Sequence, residues 1–200
     1  MHRFVYLASS SPRREQLLEQ IGVDYELLLP DAHEDAEALE AARPNEAPET
    51  YALRVTLAKL RAARERRQRR ELPEAPILCA DTTVALGARI LGKPRDAQHA
   101  HAMLAALAGR THRVISAVAV ASGRRTLRAV NVSRVRFAPI PAAQIERYIA
   151  SGEPFGKAGG YAIQSQIAAF VRHIEGSYSG IMGLPLYETA QLLRQARLAF

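Results

Sequence analysis

The sequence reads as an α/β protein built on a mixed sheet. Apolar strand-like runs and amphipathic helix-like segments alternate from one end to the other, with no repeat and no low-complexity linker between them. At 200 residues with 48% apolar and 24% charged content, the chain can fill one sizeable core, so a single domain over 1–200, with room for two lobes, is expected.

Residues 3–8 (RFVYLA) predict a short buried strand. The segment ASSSPRREQLLEQIG follows at once: Ser11 suits an N-cap, Pro12 the first helical position, Leu17, Leu18 and Ile21 an apolar stripe, and Gly22 the stop. A strand running straight into a helix N-terminus is a junction suited to phosphate. Arg13 and Arg14 occupy the first turn, where the macrodipole disfavours cations by roughly 0.3 to 1 kcal/mol. A docked anion would remove that penalty.

VDYELLL predicts a second strand. Residues 30–49 are acidic and punctuated by proline, and predict a loop with one helical turn. A helix is expected over about 50–70, stopped by ELPEAP. APILCADTTVALGARILGKP predicts an apolar strand and a hairpin turning near Gly87 and Ala88. DAQHAHAMLAALAG predicts a helix closed by Gly109. RVISAVAVASGRRTLRAVNVSRVRFAPI alternates as two strands about an SGRR turn, and PAAQIERYIASG predicts another helix. A glycine-rich stretch, GKAGGYAIQSQ, leads into a strand holding Gln164 and then a strand-like AAFVRHIEG. GSYSG and GLPL suit tight turns before a final helix from about Pro185.

The formal charge of +7 calls for an anionic partner or a basic surface. Only three of the 27 basic residues are lysines, Lys59, Lys93 and Lys157, so a position kept as lysine points to a need for a compact, mobile charge. Six arginines crowd residues 61–70, with no aromatic residue between them to stack a base. A solvated helix face is expected there, and nucleic acid is not an expected partner. The lone Cys79 excludes an internal disulfide and a cysteine metal cluster, and reads as a small buried hydrophobe. The histidines show no metal-ligand spacing. No run reaches the roughly 18 apolar residues of a membrane span and the N-terminal run is short for a secretory signal, so no membrane and a cytoplasmic location are expected.

Asp81 sits at the carboxyl end of its apolar strand, where open α/β sheets handle ligands, and is a candidate metal ligand or general base. Hairpin pairing about Gly87 and Ala88 sets Lys93 opposite Thr82, beside Asp81; a structural ion pair would have the same spacing. Lys59 by itself reads as a residue on a helix surface. The amide of Gln164 can both donate to and accept from the edge of a base.

LASSSPRREQLL, ADTTV, ILGKPRDAQHAHAML, GKAGGYAIQ and GSYSGIMGLPL together resemble the Maf family of nucleoside triphosphate pyrophosphatases, in that family's order and spacing over nearly the whole chain. The resemblance implies an inosine-triphosphatase-like fold, with a long mixed sheet and two lobes around a cleft. It implies hydrolysis of a nucleoside triphosphate to the monophosphate and pyrophosphate with a divalent cation, Mg2+ or Mn2+. Thr82 after the aspartate resembles the dTTP/UTP branch; the 7-methyl-GTP branch, which carries glutamine there, is the rival enzyme. A nucleic-acid-binding or cell-division regulatory protein is the rival of another class. By motif position the resemblance makes Asp81 the proton acceptor, and Glu34 with Asp81 the metal site. It makes Ser9, Arg13, Lys59 and Lys93 the phosphate ligands, and Arg13, Thr82 and Gln164 the specificity positions. A homodimer and a role in removing noncanonical nucleotides are further expectations. Arg14 is left for an internal ion pair, or the two arginines exchange roles.

Overall fold

The computed structural model describes residues 1–200 apart from 32, 33, 36 and 37. Seven strands form one mixed sheet: β1 (Val5–Leu7), β2 (Tyr25–Leu27), β3 (Ile77–Leu86), β4 (Arg89–Leu91), β5 (Thr111–Ser122), β6 (Arg125–Phe137) and β7 (Val171–Glu175). The order is β2-β1-β3-β5-β6-β7, with β4 as an extra partner of β3. The pairs β2-β1 and β1-β3 are parallel and the others antiparallel. The helices are α1 (Pro12–Gln20), α2 (Pro48–Arg69), α3 (Ala97–Leu107), α4 (Ala142–Ala150), α5 (Tyr178–Met182) and α6 (Leu186–Gln195). This is the α/β class with a mixed sheet that the alternation predicts.

Strand β3 organises the molecule because its alternating side chains face two different layers. Ile77, Cys79 and Ala85 pack toward α2, joined there by Leu60, Ala63 and Ala52. Leu78, Ala80 and Val84 face the other layer. There, Leu78 and Ala80 join a cluster with Leu17 and Leu18 of α1 and Leu192 and Leu193 of α6. Val84 joins a second cluster with Leu104 and Leu107 of α3 and Ile145 and Tyr148 of α4. Cys79 is buried as a small hydrophobe, and burial pushes its thiol pKa up to about 12.

One edge of β3 is interrupted, and that interruption makes the cleft. β1 pairs along it only as far as Leu78, and β4 starts opposite Val84. Between those points no strand among the described residues covers the edge. The hairpin has the expected register, Val84 opposite Leu91 and Leu86 opposite Arg89, with its turn at Gly87 and Ala88. Beyond β4 the chain carries Gly92 and Lys93 back toward the gap, while beyond β1 it carries Ser9 to Arg13 into the same gap.

Three local expectations are corrected. Gln164 lies in a turn, because the Ser165 backbone N–H and hydroxyl both bond the Ala162 carbonyl and close the chain on itself. Residues 166–170 form a 3-10 helix rather than the start of a strand. GSYSG runs into the short helix α5, capped by the Ser177 hydroxyl accepting from the Gly180 N–H. The glycines before Gln164 have a packing reason: at Gly159, φ is +70° and an added Cβ would lie 2.9 Å from Val84.

The arginine run on α2 is also more than a solvated face. Arg66 is buried and grips Glu34 at 2.6 and 3.0 Å and the Leu28 carbonyl at 2.7 Å. Arg69 and Arg70 reach Asp31, and Arg64 bonds the carbonyls of Gly123 and Arg125. Arg66, Arg69 and Arg70 therefore clamp the segment after β2 against the helix; Arg61 keeps the expected exposed role, and neither it nor the half-buried Arg67 makes a side-chain hydrogen bond or ion pair among the described residues.

Candidate active site

A cleft of about 870 Å³ opens at the interrupted edge of β3, within the range of small-molecule sites. Leu78 gives its carbonyl to the Ala8 N–H on this edge, so by strand alternation Ala80 and Thr82 also turn their backbone groups toward the gap. Their side chains face one layer and Asp81 the other. The gap lets ligand reach both.

Asp81 is buried on the α2 side, and Lys59, from the middle of α2, donates to its Oδ1 at 2.7 Å. Lys59 is thus no ordinary surface residue. The same ammonium donates to Glu40 Oε1 at 2.8 Å, and Lys93 lies 2.9 Å from Glu40 Oε2. Two acids and two lysines form one chain of contacts. Burial by itself would raise the Glu40 carboxyl; the ammonium groups of Lys59 and Lys93 outweigh that and hold it below the ordinary carboxylate value. Glu40 ends a single 3-10 turn, Ala38–Glu40, fastened to α2: its carbonyl accepts from the Tyr51 hydroxyl at 2.8 Å, and Arg54 bonds the Ala41 carbonyl and Glu46.

The two arginines of α1 separate cleanly. Arg14 turns inward, donating through Nε to the Gly183 carbonyl and through Nη1 to Ser9 Oγ, both at 2.9 Å. Its partners are neutral oxygens rather than the expected ion-pair acid. Arg13 lines the cleft and has no hydrogen-bond or ion-pair partner among the described residues. Burial lowers its pKa, against the opposing charges of Glu153 and Tyr148. Ser11 takes the extended N-cap conformation, but its side chain bonds no helix amide, so the first turn of α1 has no side-chain cap. Ser9, buried, accepts from Ser11 N–H at 3.2 Å as well as from Arg14.

The structure therefore brings Ser9, Arg13, Lys59, Asp81, Thr82, Lys93 and the exposed Gln164 to one cleft. Glu34 borders the same cleft, yet it does not join Asp81: its oxygens are taken by Arg66 and by Arg69 at 2.6 Å. Hydrogen bonds from Arg66, against the effect of burial, hold its pKa below the usual value. The acid that shares a lysine with Asp81 is Glu40, which sequence reasoning missed, because no spacing rule links it to positions 59 and 93. Ser116 was missed too. It was signalled by a hydroxyl in the apolar alternation of VISAVAV, and it bonds Thr82 at 2.8 Å.

Asp81 Oδ1 and Glu40 Oε1 meet at the one ammonium of Lys59, and carboxylate oxygens of this kind suit a divalent ion that keeps waters and takes further ligands from phosphates. Among the described residues no group of three histidine, cysteine or acidic side chains is placed to hold a metal.

An α/β sheet whose open edge gathers an acid with mobile and planar cations makes a cleft whose charge suits a polyanion. The family model of the Maf-like proteins matches residues 4–196, and the chain belongs to that family. It is 62% identical over 200 residues to the dTTP/UTP pyrophosphatase of Cupriavidus pinatubonensis, covering all of both chains. To the dTTP/UTP pyrophosphatase of Burkholderia pseudomallei strain K96243 it is 61% identical over 98% of this chain and 95% of that one. A solved nucleoside-triphosphatase, the dITP/XTP pyrophosphatase of Mycobacterium abscessus, is 18% identical with a TM-score of 0.43 over 68% of this chain and 75% of that one, too distant to bear on the site.

Proposed function

We propose that this protein is a nucleoside triphosphate pyrophosphatase that hydrolyses dTTP and UTP to the monophosphate and pyrophosphate. One observation carries the chemistry: Asp81 lies hydrogen-bonded to Lys59 in a cleft that also holds Lys93 and Arg13. Full-length identity above 60% to two pyrophosphatases of that name supports the substrate.

A triphosphate carries about four negative charges, and water attacks its α-phosphorus only once they are offset. Arg13 and the uncapped first turn of α1 meet the phosphates from one side, with Ser9 beneath them. Lys59 and Lys93, on flexible stems, exchange Glu40 for phosphate oxygens as substrate enters. Asp81 takes the proton from the attacking water at a carboxylate oxygen. A bond forms from that water oxygen to the α-phosphorus, and the bond to the oxygen bridging α- and β-phosphorus breaks. The electron pair goes to pyrophosphate, which Lys93 and Arg13 hold as it leaves.

Asp81 and Glu40 are the donor pair that fits a divalent ion, Mg2+ or Mn2+, and such an ion supplies charge neutralisation and water activation when bound. Glu34, given a metal role by motif position, keeps its guanidinium partners at the rim of the cleft. The absence of a long apolar helix among the described residues and a nucleotide substrate fit a cytoplasmic enzyme. A homodimer is part of the same proposal, and sedimentation velocity tests it.

The test is release of pyrophosphate from a panel of nucleoside triphosphates with magnesium. Turnover of dTTP and UTP ahead of purine and 7-methylguanosine triphosphates is expected. A purified protein that hydrolyses none of them sinks the proposal.

A further inference from the structure

Thr82 and Ser116 occupy the polar strip between the two apolar clusters on one face of the sheet, on neighbouring strands in direct register. Their hydroxyl oxygens are 2.8 Å apart. Ser116 Oγ also lies 2.6 Å from the Gly180 carbonyl oxygen, which can only accept, so the Ser116 proton goes to Gly180. The hydrogen between the two hydroxyls must then be the one on Thr82. The alternative acceptor for that proton, the Gly183 carbonyl, is 3.4 Å away, and using it would leave two oxygens in contact with no hydrogen between them. Ser116 is buried and Gly180 is buried, so water does not reset the order.

The consequence is directional. With its proton committed inward, Thr82 Oγ1 has only lone pairs left for the cleft, and it can accept from a ligand but not donate to one.

We infer that Ser116 is a positioning residue that fixes Thr82 as an obligate acceptor, so that the cleft selects a nucleobase presenting an N–H there. The imide of uracil or thymine supplies that N–H at N3, where cytosine presents an acceptor. This rests on the nucleotide-hydrolysis reading and adds a stated chemical basis for choosing the base. Two acceptors facing each other without a hydrogen between them leave both unsatisfied, an arrangement that sites built for hydrogen bonding reject strongly.

The test is the ratio of kcat/KM for UTP to that for CTP in the whole protein with magnesium. Ser116→Ala frees the Thr82 hydroxyl to donate, and the ratio is expected to fall by about tenfold or more, mainly through KM. Ser116→Thr, which keeps a hydroxyl, is expected to retain the wild-type ratio. Thermal unfolding establishes that each variant is folded. If Ser116→Ala does not fold, Thr82→Val against Thr82→Ser carries the same comparison from the cleft side, with the preference lost in the first and kept in the second. A wild-type ratio in folded Ser116→Ala or in Thr82→Val overturns the inference. So does a change confined to UTP against dUTP, because the donor would then be the ribose hydroxyl. Failure of the wild type to hydrolyse any pyrimidine triphosphate would instead be a failure of the function proposed above.

Discussion

Lys59 Nζ lies 2.7 Å from Asp81 Oδ1, a charge-assisted contact that joins the middle of α2 to the uncovered edge of β3. It holds the carboxylate in place at the cleft, as a proton acceptor requires. Asp81→Asn preserves shape and leaves Lys59 its contact with Glu40, so the fold is expected to survive. Turnover is expected to fall by about 10²- to 10⁴-fold, the usual contribution of a general base. Pyrophosphate release beside a thermal unfolding curve checks both halves, and hydrolysis near the wild-type rate would remove Asp81 from the chemistry.

Arg13 and Arg14 are adjacent in sequence and should fail in different ways. Arg13 has no protein partner among the described residues and faces the cleft, so Arg13→Ala is expected to raise KM by about tenfold or more with little change in stability. Arg14 ties α1 to the loop after α5 through Gly183 and to the loop after β1 through Ser9. Arg14→Ala takes the guanidinium donor from the Gly183 carbonyl and leaves Ser9 Oγ only the Ser11 N–H, and is expected to destabilise the protein by about 1 to 3 kcal/mol. Urea unfolding and steady-state kinetics on the same two preparations separate the roles; matching profiles would contradict the division.

Much of this architecture was readable because local patterns dictate it. The hairpin about Gly87 and Ala88 has the register its turn residues require, and that register correctly aims Lys93 at the cleft. Helix α2 and the β5-β6 pair follow from periodicity in the same way. What was not readable depends on contacts between segments far apart in sequence. Nothing local tells Lys59 that it meets Asp81, or Arg66 that it is buried against Glu34. Motif order assigned Lys59 and Asp81 to one site without pairing them, and gave no sign of the second contact. Gln164 went to a strand because YAIQ is apolar and β-prone, whereas the turn is enforced by Ser165 bonding back to Ala162.

The acids bordering the cleft make a paired prediction. Glu40→Gln removes the carboxylate shared by Lys59 and Lys93 and half of the candidate cation pair, while Glu34→Gln loosens the clamp onto Arg66 and Arg69. In magnesium titrations of initial rate, Glu40→Gln is expected to need about tenfold more magnesium for half-maximal turnover. Glu34→Gln is expected to lose stability, because the buried Arg66 guanidinium is left without a full charge partner. A magnesium requirement shifted only by Glu34→Gln would transfer the metal role to Glu34.

His112 makes stability depend on pH in a defined window. It is buried on β5 with Nε2 2.7 Å from the Tyr161 hydroxyl, against the rings of Phe137 and Tyr161. Burial lowers its pKa from 6.5 to about 4. The unfolded chain therefore takes up the proton first as pH falls, and between those two values protonation favours unfolding. The neutral ring's contribution is intact above about pH 6.5, is lost progressively down to about pH 4, and changes no further below it. At 1.36 kcal/mol per unit the loss amounts to about 3 kcal/mol. Carboxylates that titrate in the same range are common to wild type and variant, so the difference between them isolates the imidazole. Urea unfolding at pH 7 and pH 4.5 is expected to show a smaller drop in His112→Gln than in the wild type, despite a lower stability at pH 7 from imperfect packing. Equal drops in the two proteins would mean that the ring is solvated enough to titrate normally in the fold.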